Sequence, residues 1–111
     1  MNRRFARPRT RPEPGTMNKL EAQYAQHLEL RKIAGEIVDY RFERMKLKLA
    51  GNTFYTPDFM VITQHWIEMH ETKGFWEDDA RVKIKVAADQ FPEFLFVAVQ
   101  WKQKQWVFEE F

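Results

Sequence analysis

The fold is decided by residues 54–73, which consist of FYTPDFMVITQHWIEMHETK. Two stretches rich in alternating apolar residues are separated by a short turn centred between Gln64 and His65, which predicts strands at about 54–62 and 66–73. Such a turn makes the strands antiparallel, with paired residue numbers that sum to 129. The predicted pairs are Ile62 with Ile67, Met60 with Met69, Asp58 with Glu71, and Thr56 with Lys73.

The predicted pairing places charged side chains together at the end of the hairpin away from the turn. Directly opposed residues share a face, and their Cβ atoms lie about 4.5–5.5 Å apart. Asp58 and Glu71 therefore face each other, and Lys73 lies on the same face two residues further along. Two carboxylates at that distance repel each other unless a cation lies between them. Because oxygen ligands without His or Cys favour hard cations, these residues predict a site for Mg²⁺ or Mn²⁺.

The lysine of this group suits phosphate chemistry. Beside such a cation, the Lys73 ammonium can lower the pKa of a water molecule or stabilise the charge of a pentavalent phosphorus, and both effects favour phosphodiester hydrolysis. The alternative is a solvated strand face, because Glu-x-Lys alone is a frequent pattern. Its coincidence with Pro57-Asp58 in an opposing strand favours metal chemistry.

The residues before the hairpin predict one helix followed by extended structure. Helical spacing of apolar residues begins after Asn18, where Glu21 completes a capping-box pattern, and Gly35 is a typical residue just past a helix end. Residues 36–49 alternate with period two but change phase near Glu43, which predicts a bulge or a break into two strands.

The residues after the hairpin predict a second helix and two closing strands. Helical spacing returns from Ala80 to Phe91 and is ended by Pro92, and strands are predicted at 94–101 and 105–108. The expected order is α-β-β-β-α-β-β, which describes a single small α/β domain with a central mixed sheet.

Charge divides the chain into a basic arm and an acidic domain. Residues 1–17 have a net charge of +4 and residues 18–111 a net charge of −2, so the total of +2 is a sum over unlike parts. We expect the arm to be disordered, because it has few apolar residues to bury. It is either a phosphate-contacting arm or a solubilising tail. Its arginines are Arg3, Arg4, Arg7, Arg9 and Arg11.

Composition excludes several classes of protein. A length of 111 residues allows one domain. No window approaches about 18 apolar residues, so we expect no transmembrane helix. No apolar stretch follows the first arginines, so we expect no secretory signal. The absence of cysteine excludes disulfides and thiolate zinc sites. We therefore expect a cytoplasmic protein with no membrane partner.

Two segments of the hairpin together resemble a known family. Residues 55–59 (YTPDF), followed by residues 70–74 (HETKG), resemble the PD-(D/E)XK nuclease superfamily, and most of all a small phage-encoded branch similar to Holliday-junction resolvases. The resemblance covers about residues 18–111 and includes the order of helix, hairpin, helix and strand. It implies a restriction-endonuclease-like core and a Mg²⁺-dependent endonuclease that acts on DNA, in the host-cell cytoplasm if the protein is phage-encoded.

The resemblance also implies roles for individual residues. Asp58 and Glu71 would be metal ligands, the Thr72 carbonyl would be a further ligand, and Lys73 would assist the nucleophilic water, with a 5′-phosphate as product. A carboxylate from the first helix is implied as well. Glu21 is its best match, in competition with the place of the same residue in the capping box.

Other residues are candidates for contacts with nucleic acid. In the families that the chain resembles, basic groups of the second helix approach the scissile phosphate; here the alternative is a solvated helix face. An aromatic residue after the Glu-x-Lys strand can stack on a base, although a core position is the simpler interpretation. These candidates are Arg81, Lys83, Lys85 and Trp76.

The expected substrate is branched DNA cut in recombination, replication or packaging. Symmetrical cutting of a junction requires two active sites, so a two-fold homodimer is expected with such a substrate. One alternative is a nuclease for linear or single-stranded ends. The other is a non-catalytic nucleic-acid-binding or structural protein on a nuclease scaffold.

Overall fold

The structure is a computed structural model and describes residues 15–111. The arginines of the predicted basic arm lie outside these residues. The described elements are α1 (Lys19–Ile33), β1 (Asp39–Phe42), β2 (Leu47–Ala50), β3 (Thr53–Tyr55), β4 (Phe59–Ile62), β5 (Ile67–Lys73), α2 (Asp78–Gln90), β6 (Phe94–Lys102) and β7 (Gln105–Glu110). Neither helix in this range has the length and apolar character needed to cross a membrane.

Five of the strands form one mixed sheet in the order β1-β4-β5-β6-β7. Neighbours are antiparallel except β5 and β6, which are parallel. A parallel pair requires a long crossover connection, and α2 lies in this connection. The strands β2 and β3 form a separate antiparallel hairpin. The prediction of a small α/β domain with two helices and a mixed sheet is confirmed.

The predicted register of the central hairpin is confirmed from Phe59 to Ile62, whereas the predicted pairs Asp58–Glu71 and Thr56–Lys73 lie beyond the last observed pair and do not form. Phe59 pairs with His70 and Ile62 with Ile67, so paired numbers sum to 129. A shift by one residue would have moved every side chain to the other face of the sheet. The observed register therefore places Asp58, just before β4, at the same end of the hairpin as the end of β5.

The ends of α1 follow the residues that predicted them. The Asn18 side chain accepts a hydrogen bond from the Glu21 amide (2.7 Å), and the Glu21 carboxylate accepts one from the Asn18 amide (2.9 Å). At the other end, Gly35 has a φ of +80° and the Glu36 amide donates to the Arg31 carbonyl (2.9 Å). This is a Schellman motif, in which glycine supplies the left-handed residue.

The strand order differs from the prediction at residues 54–62, and at residues 36–49 it follows one of the two predicted alternatives, a break into two strands. The single strand predicted for residues 54–62 is wrong, because the chain breaks at 56–58 between β3 and β4. Pro57 lies in this break and has no amide hydrogen to donate to a strand neighbour. Residues 36–49 separate into β1 and β2 where Glu43 takes a φ of +48°. The observed order is therefore α-β-β-β-β-β-α-β-β and not α-β-β-β-α-β-β.

Two hydrophobic clusters pack against opposite faces of the sheet. Successive residues of β6 alternate between them, with Phe96 and Ala98 in one cluster and Val97 and Val99 in the other. The first cluster also contains residues of α2 and of the β2–β3 hairpin, and the second contains residues of α1. The domain thus has three layers, with the sheet between α1 and the layer formed by α2 and the hairpin.

Candidate active site

A cleft of about 870 Å³ lies where the first turn of α1, the β2–β3 hairpin, the end of β5 and the start of α2 meet. Its volume falls in the range of small-molecule sites, about 300–1,000 Å³. The structure brings a large part of the predicted site to this one cleft. The predicted residues that line it are Glu21, Asp58, Glu71, Lys73, Trp76 and Lys83.

Asp58 lines this cleft and is buried, with 8% of its surface exposed. Its Oδ2 accepts two hydrogen bonds from Thr72, one from the amide and one from the hydroxyl, each of 2.9 Å. Thr72 lies beyond Phe59–His70, the last backbone pair of β4 and β5. The Asp58 carboxylate therefore substitutes for a backbone acceptor at the open end of the hairpin. Within residues 15–111, its Oδ1 accepts no hydrogen bond.

Glu71 is held in a similar way. Its Oε1 accepts hydrogen bonds from the Tyr55 hydroxyl (3.0 Å) and from the Asp58 amide (3.2 Å). Its Oε2 lies 3.7 Å from the Lys73 ammonium and accepts no hydrogen bond from the described part of the chain. Each carboxylate thus has one oxygen fixed by uncharged donors and a second oxygen left for a ligand.

The surroundings of the two carboxylates raise both of their pKa values. Burial is the largest cause for each. The negative charge of Glu21 further raises the pKa of Asp58, and the charge of Asp58 further raises the pKa of Glu71, while Lys73 opposes both shifts. Ionising both groups in this cleft costs free energy that a bound cation would offset.

The donor chemistry of the pair fits Mg²⁺ or Mn²⁺. Mg²⁺ is commonly held by one or two carboxylates, and waters and substrate phosphates complete its coordination. Asp58 and Glu71 match this pattern. Among residues 15–111, however, no group of three or more His, Asp or Glu side chains is placed to hold a metal ion.

The other two predicted ligands have defined hydrogen-bond roles. One oxygen of Glu21 is engaged by the Asn18 amide in the capping box, although the side chain lines the cleft. Thr72 supplies its amide and hydroxyl to Asp58. Metal binding by Glu21 and by the Thr72 carbonyl stays a prediction.

The structure separates the three basic candidates of α2. Lys83 lines the cleft. Arg81 instead donates two hydrogen bonds to Glu109 (2.6 and 2.7 Å), and its guanidinium lies 5.4 Å from the centre of the Phe111 ring. Lys85, one turn after Arg81, also acts on Glu109, whose pKa is lowered chiefly by its hydrogen bonds from Arg81 and also by the charge of Lys85. Arg81 and Lys85 therefore lie toward β7, outside the cleft.

Trp76 takes part in both the core and the cleft. It packs against the cluster that contains α2, as the simpler interpretation predicts, and it also lines the cleft. Its indole Nε1 is buried and has no hydrogen-bond partner among residues 15–111. A buried donor without a partner costs about 1–3 kcal/mol. A ligand with an acceptor atom that reached this nitrogen would therefore bind more tightly.

His70 lies beside Glu71 in sequence but on the other face of the sheet. Its Nδ1 lies 2.6 Å from the Tyr24 hydroxyl and its Nε2 lies 2.8 Å from Glu68 Oε1. Burial lowers the pKa of His70. With both ring nitrogens paired inside the α1 cluster, this histidine is a structural residue and takes no part in the cleft.

Sequence reasoning missed Tyr55 as a residue that positions Glu71, and Phe54 as part of the cleft wall. Both residues precede Pro57 in the segment that was predicted as one strand. A continuous strand would have carried Tyr55 away from Glu71. The signal that could have found it is Pro57 itself, which disfavours a continuous strand.

Comparisons with known proteins leave this site without an assignment. The chain matches no model of a protein family, no curated protein and no solved structure. What the cleft can do is therefore inferred from its own side chains.

Proposed function

We propose that the protein is a metal-dependent DNA endonuclease with a restriction-endonuclease-like core. The observation that carries the proposal is the arrangement of the buried Asp58 and the partly buried Glu71, which lie side by side with one oxygen each left for a ligand. Lys73 lies beside this pair and Lys83 lines the same cleft. Neighbouring carboxylates with raised pKa values, next to cations in a cleft, are typical of functional sites.

Asp58 and Glu71 are the residues that would hold the divalent cation. When bound there, Mg²⁺ or Mn²⁺ supplies Lewis-acid polarisation of a phosphoryl oxygen. Thr72 and Tyr55 orient the two carboxylates, each by hydrogen bonds to one oxygen, so that the remaining oxygens stay turned to the ligand. Because these hydrogen bonds hold both carboxylates in place, cation binding requires little reorganisation of their side chains.

The lysines supply positive charge where the reaction develops negative charge. Lys73 is partly exposed, with 42% of its side chain accessible, so its ammonium can leave Glu71 for a phosphate oxygen. Lys83 approaches from the α2 side of the cleft. Attack of water on phosphorus breaks the bond to the 3′-oxygen and leaves the 5′-phosphate that the family resemblance implies. Branched DNA, a homodimer and a cytoplasmic location are parts of the same proposal.

The proposal is tested by cleavage assays on linear duplex, nicked, single-stranded and four-way DNA with Mg²⁺, Mn²⁺ or EDTA. Asp58→Asn is the informative variant, because an amide oxygen at this position still accepts hydrogen bonds from Thr72. We expect metal-dependent cleavage that falls by at least about 100-fold in Asp58→Asn and in Glu71→Gln, as for loss of groups that act on the reacting atoms. Asp39→Asn, which removes a surface carboxylate of β1, is the control and should cleave normally.

Two outcomes would contradict the proposal. Cleavage that persists in EDTA or in Asp58→Asn would show that these carboxylates do not hold an essential cation. DNA binding without cleavage under any metal would instead support the alternative of a non-catalytic nucleic-acid-binding protein.

A further inference from the structure

The β2–β3 hairpin has an outer face that the proposed reaction does not use. Its inner face packs into the α2 cluster through Leu47 and Tyr55. Lys48 pairs directly with Phe54 across the hairpin, so these two side chains share the outer face. Lys46, just before β2, lies on the same side, because its ammonium contacts the Phe54 ring. We call Lys46, Lys48 and Phe54 the hairpin patch.

The hairpin patch is a local concentration of positive charge on an acidic domain. From residue 44 to residue 57 the chain contains three basic residues and no acidic residue, whereas residues 18–111 have a net charge of −2. All three basic residues of this segment, Arg44, Lys46 and Lys48, are exposed. A cationic surface in this setting attracts an anionic partner to one side of the molecule.

Phe54 adds an exposed aromatic ring to this charge. About 39% of its surface is accessible, although it is a large apolar residue. The Lys46 ammonium lies 4.6 Å from the centre of its ring, so the ring and a cation are presented together. Aromatic rings interleaved with cations are the combination by which proteins bind single-stranded nucleic acid, through base stacking and phosphate contacts.

The hairpin patch is continuous with the candidate active site. Phe54, Tyr55 and Thr56 all line the cleft that contains Asp58 and Glu71. A nucleic-acid strand that leaves the cleft past Phe54 therefore crosses the outer face of the hairpin. Inside duplex DNA the faces of the bases are covered by their neighbours, so Phe54 can stack on an unpaired base and not on an internal base pair.

We propose that the hairpin patch binds unpaired nucleotides of DNA, with Phe54 stacking on a base and Lys46 and Lys48 pairing with phosphates. The inference rests on the proposed function, because that proposal identifies the molecule in the cleft as a DNA strand. Binding at the hairpin patch itself requires no metal. It would direct the cleft to single-stranded segments, flaps or the unpaired arms of a branch.

The first test measures binding in EDTA by fluorescence anisotropy with a 15-nucleotide oligothymidylate and a blunt duplex of the same length. We expect Phe54→Ala to weaken oligothymidylate binding by about 5- to 100-fold, the effect of losing one stacked base, and to leave duplex binding unchanged within about twofold. Phe54→Trp should restore binding. Phe108→Ala is the matched control, because Phe108 is 45% exposed and lines a groove on the opposite face of the sheet.

The second test measures the contribution of the two lysines. Replacing Lys46 and Lys48 together with Gln should lower the slope of log affinity against log salt for oligothymidylate by about 1.4, since each phosphate contact on single-stranded DNA contributes about 0.7. The control replaces Lys102 and Lys104, exposed residues at the β6–β7 turn, with Gln, and so changes the net charge by the same amount as the Lys46 and Lys48 variant. Thermal unfolding of every variant shows whether it is folded.

Several results would overturn the inference. In the first test, these are an equal loss of oligothymidylate binding in the folded Phe54→Ala and Phe108→Ala variants, or an equal loss of duplex and single-strand binding in Phe54→Ala. In the second test, it is an equal change of the salt slope in the two lysine pairs. Displacement of oligothymidylate by polyglutamate at equal charge concentration would also overturn it. Failure of the nuclease proposal is distinguishable from these. Patch-dependent binding without cleavage contradicts only the nuclease, and metal-dependent cleavage without patch-dependent binding contradicts only the hairpin patch.

Discussion

The two oxygens of Glu71 have different surroundings, and this difference is the central feature of the site at the scale of single residues. Oε1 is fixed by Tyr55 and by the Asp58 amide, whereas Oε2 faces Lys73. Asp58 shows the same division, with Thr72 on Oδ2. Uncharged donors thus determine where the charged oxygens point. The Tyr55 hydroxyl is the donor that can be removed with the smallest change in shape.

Tyr55→Phe should slow cleavage without unfolding the protein. Loss of a hydrogen bond to a charged group costs about 1.5–3 kcal/mol, so we expect the single-turnover rate to fall by roughly 10- to 100-fold. Tyr40→Phe is the control, because its hydroxyl donates to Glu29 at the surface (2.8 Å). An equal decrease in both variants would show that Tyr55 does not position Glu71.

The raised pKa values of the two carboxylates predict how stability depends on pH. Burial raises the pKa of Asp58 to about 6 and that of Glu71 to about 8. Between about pH 4, the ordinary value for such groups, and pH 8, the folded state therefore binds more protons than the unfolded state. The free energy of unfolding of the metal-free protein should thus fall as the pH rises through this range.

Asp58→Asn should reverse part of this loss. In urea unfolding with EDTA, we expect the variant to be more stable than the wild type by roughly 2 kcal/mol at pH 8 and to differ little at pH 4. Mg²⁺ should then stabilise the wild type and not the variant. Asp39→Asn should act in the opposite direction at pH 8, because the Tyr40 amide and the Arg41 and Lys32 side chains lower the pKa of Asp39. A pH-independent effect of Asp58→Asn would contradict the assignment.

At the scale of elements, the break between β3 and β4 determines the composition of the cleft. It directs β4 into the large sheet and β3 into the hairpin, so Tyr55 and Asp58, three residues apart, reach Glu71 from different elements. The helices that flank this region depend on their own ends. The clearest of these ends is the Schellman motif of α1 at Gly35.

Gly35→Ala should destabilise the domain by about 1 kcal/mol. A side chain at a φ of +80° is strained, even though a methyl group there meets no atom within 4 Å. Gly74→Ala is the matched control: a methyl group there also has free space, and φ lies outside the left-handed region. We expect this control to be neutral or slightly stabilising in urea unfolding. Equal destabilisation by both changes would show that the left-handed backbone is not the cause.

Features that depend on residues close together in the chain were predictable from the sequence, whereas contacts between distant strands and side chains were not. The capping box of Asn18 and Glu21 and the hairpin register each depend on residues close together in the chain. The break at Pro57 was missed because a period-two pattern does not reveal where a strand changes its neighbour. The positions of Tyr55 and Arg81 also depend on distant contacts, with Glu71 and with Glu109. The juxtaposition of Asp58 and Glu71 could be predicted from the sequence, because the single turn between β4 and β5 determines it.

At the scale of the whole molecule, positive charge is concentrated in separate segments of a chain whose residues 18–111 have a net negative charge. One is the hairpin patch, and another is the set of five arginines in residues 1–14, outside the described part of the chain. The cleft between α1 and α2 contains the acidic pair. A nucleic acid would therefore be attracted to these two positive segments and not to the acidic pair. A divalent cation bound in the cleft would reduce the repulsion between the acidic pair and the phosphates.

Removal of residues 1–14 should weaken DNA binding mainly at low salt. If all five arginines contact phosphates, the slope of log affinity against log salt falls by up to about 4.5 on duplex DNA. A full-length variant with these arginines replaced by Gln tests charge separately from length and should behave like the deletion. An unchanged slope in both would show that the segment is a solubilising tail.

The hydrogen bonds between Asp58 and Thr72 have a consequence for how the protein tolerates mutation. The same carboxylate closes the end of the β4–β5 hairpin and forms half of the proposed cation site, so the side chain at position 58 would have to meet two separate requirements. In a saturation library sorted for cellular abundance, Asn and Ser should persist there, because their side chains also accept hydrogen bonds. In the same library sorted for cleavage, only Asp should remain. A lineage that lost the activity would therefore be expected to keep a polar residue at this position long after the charge had gone.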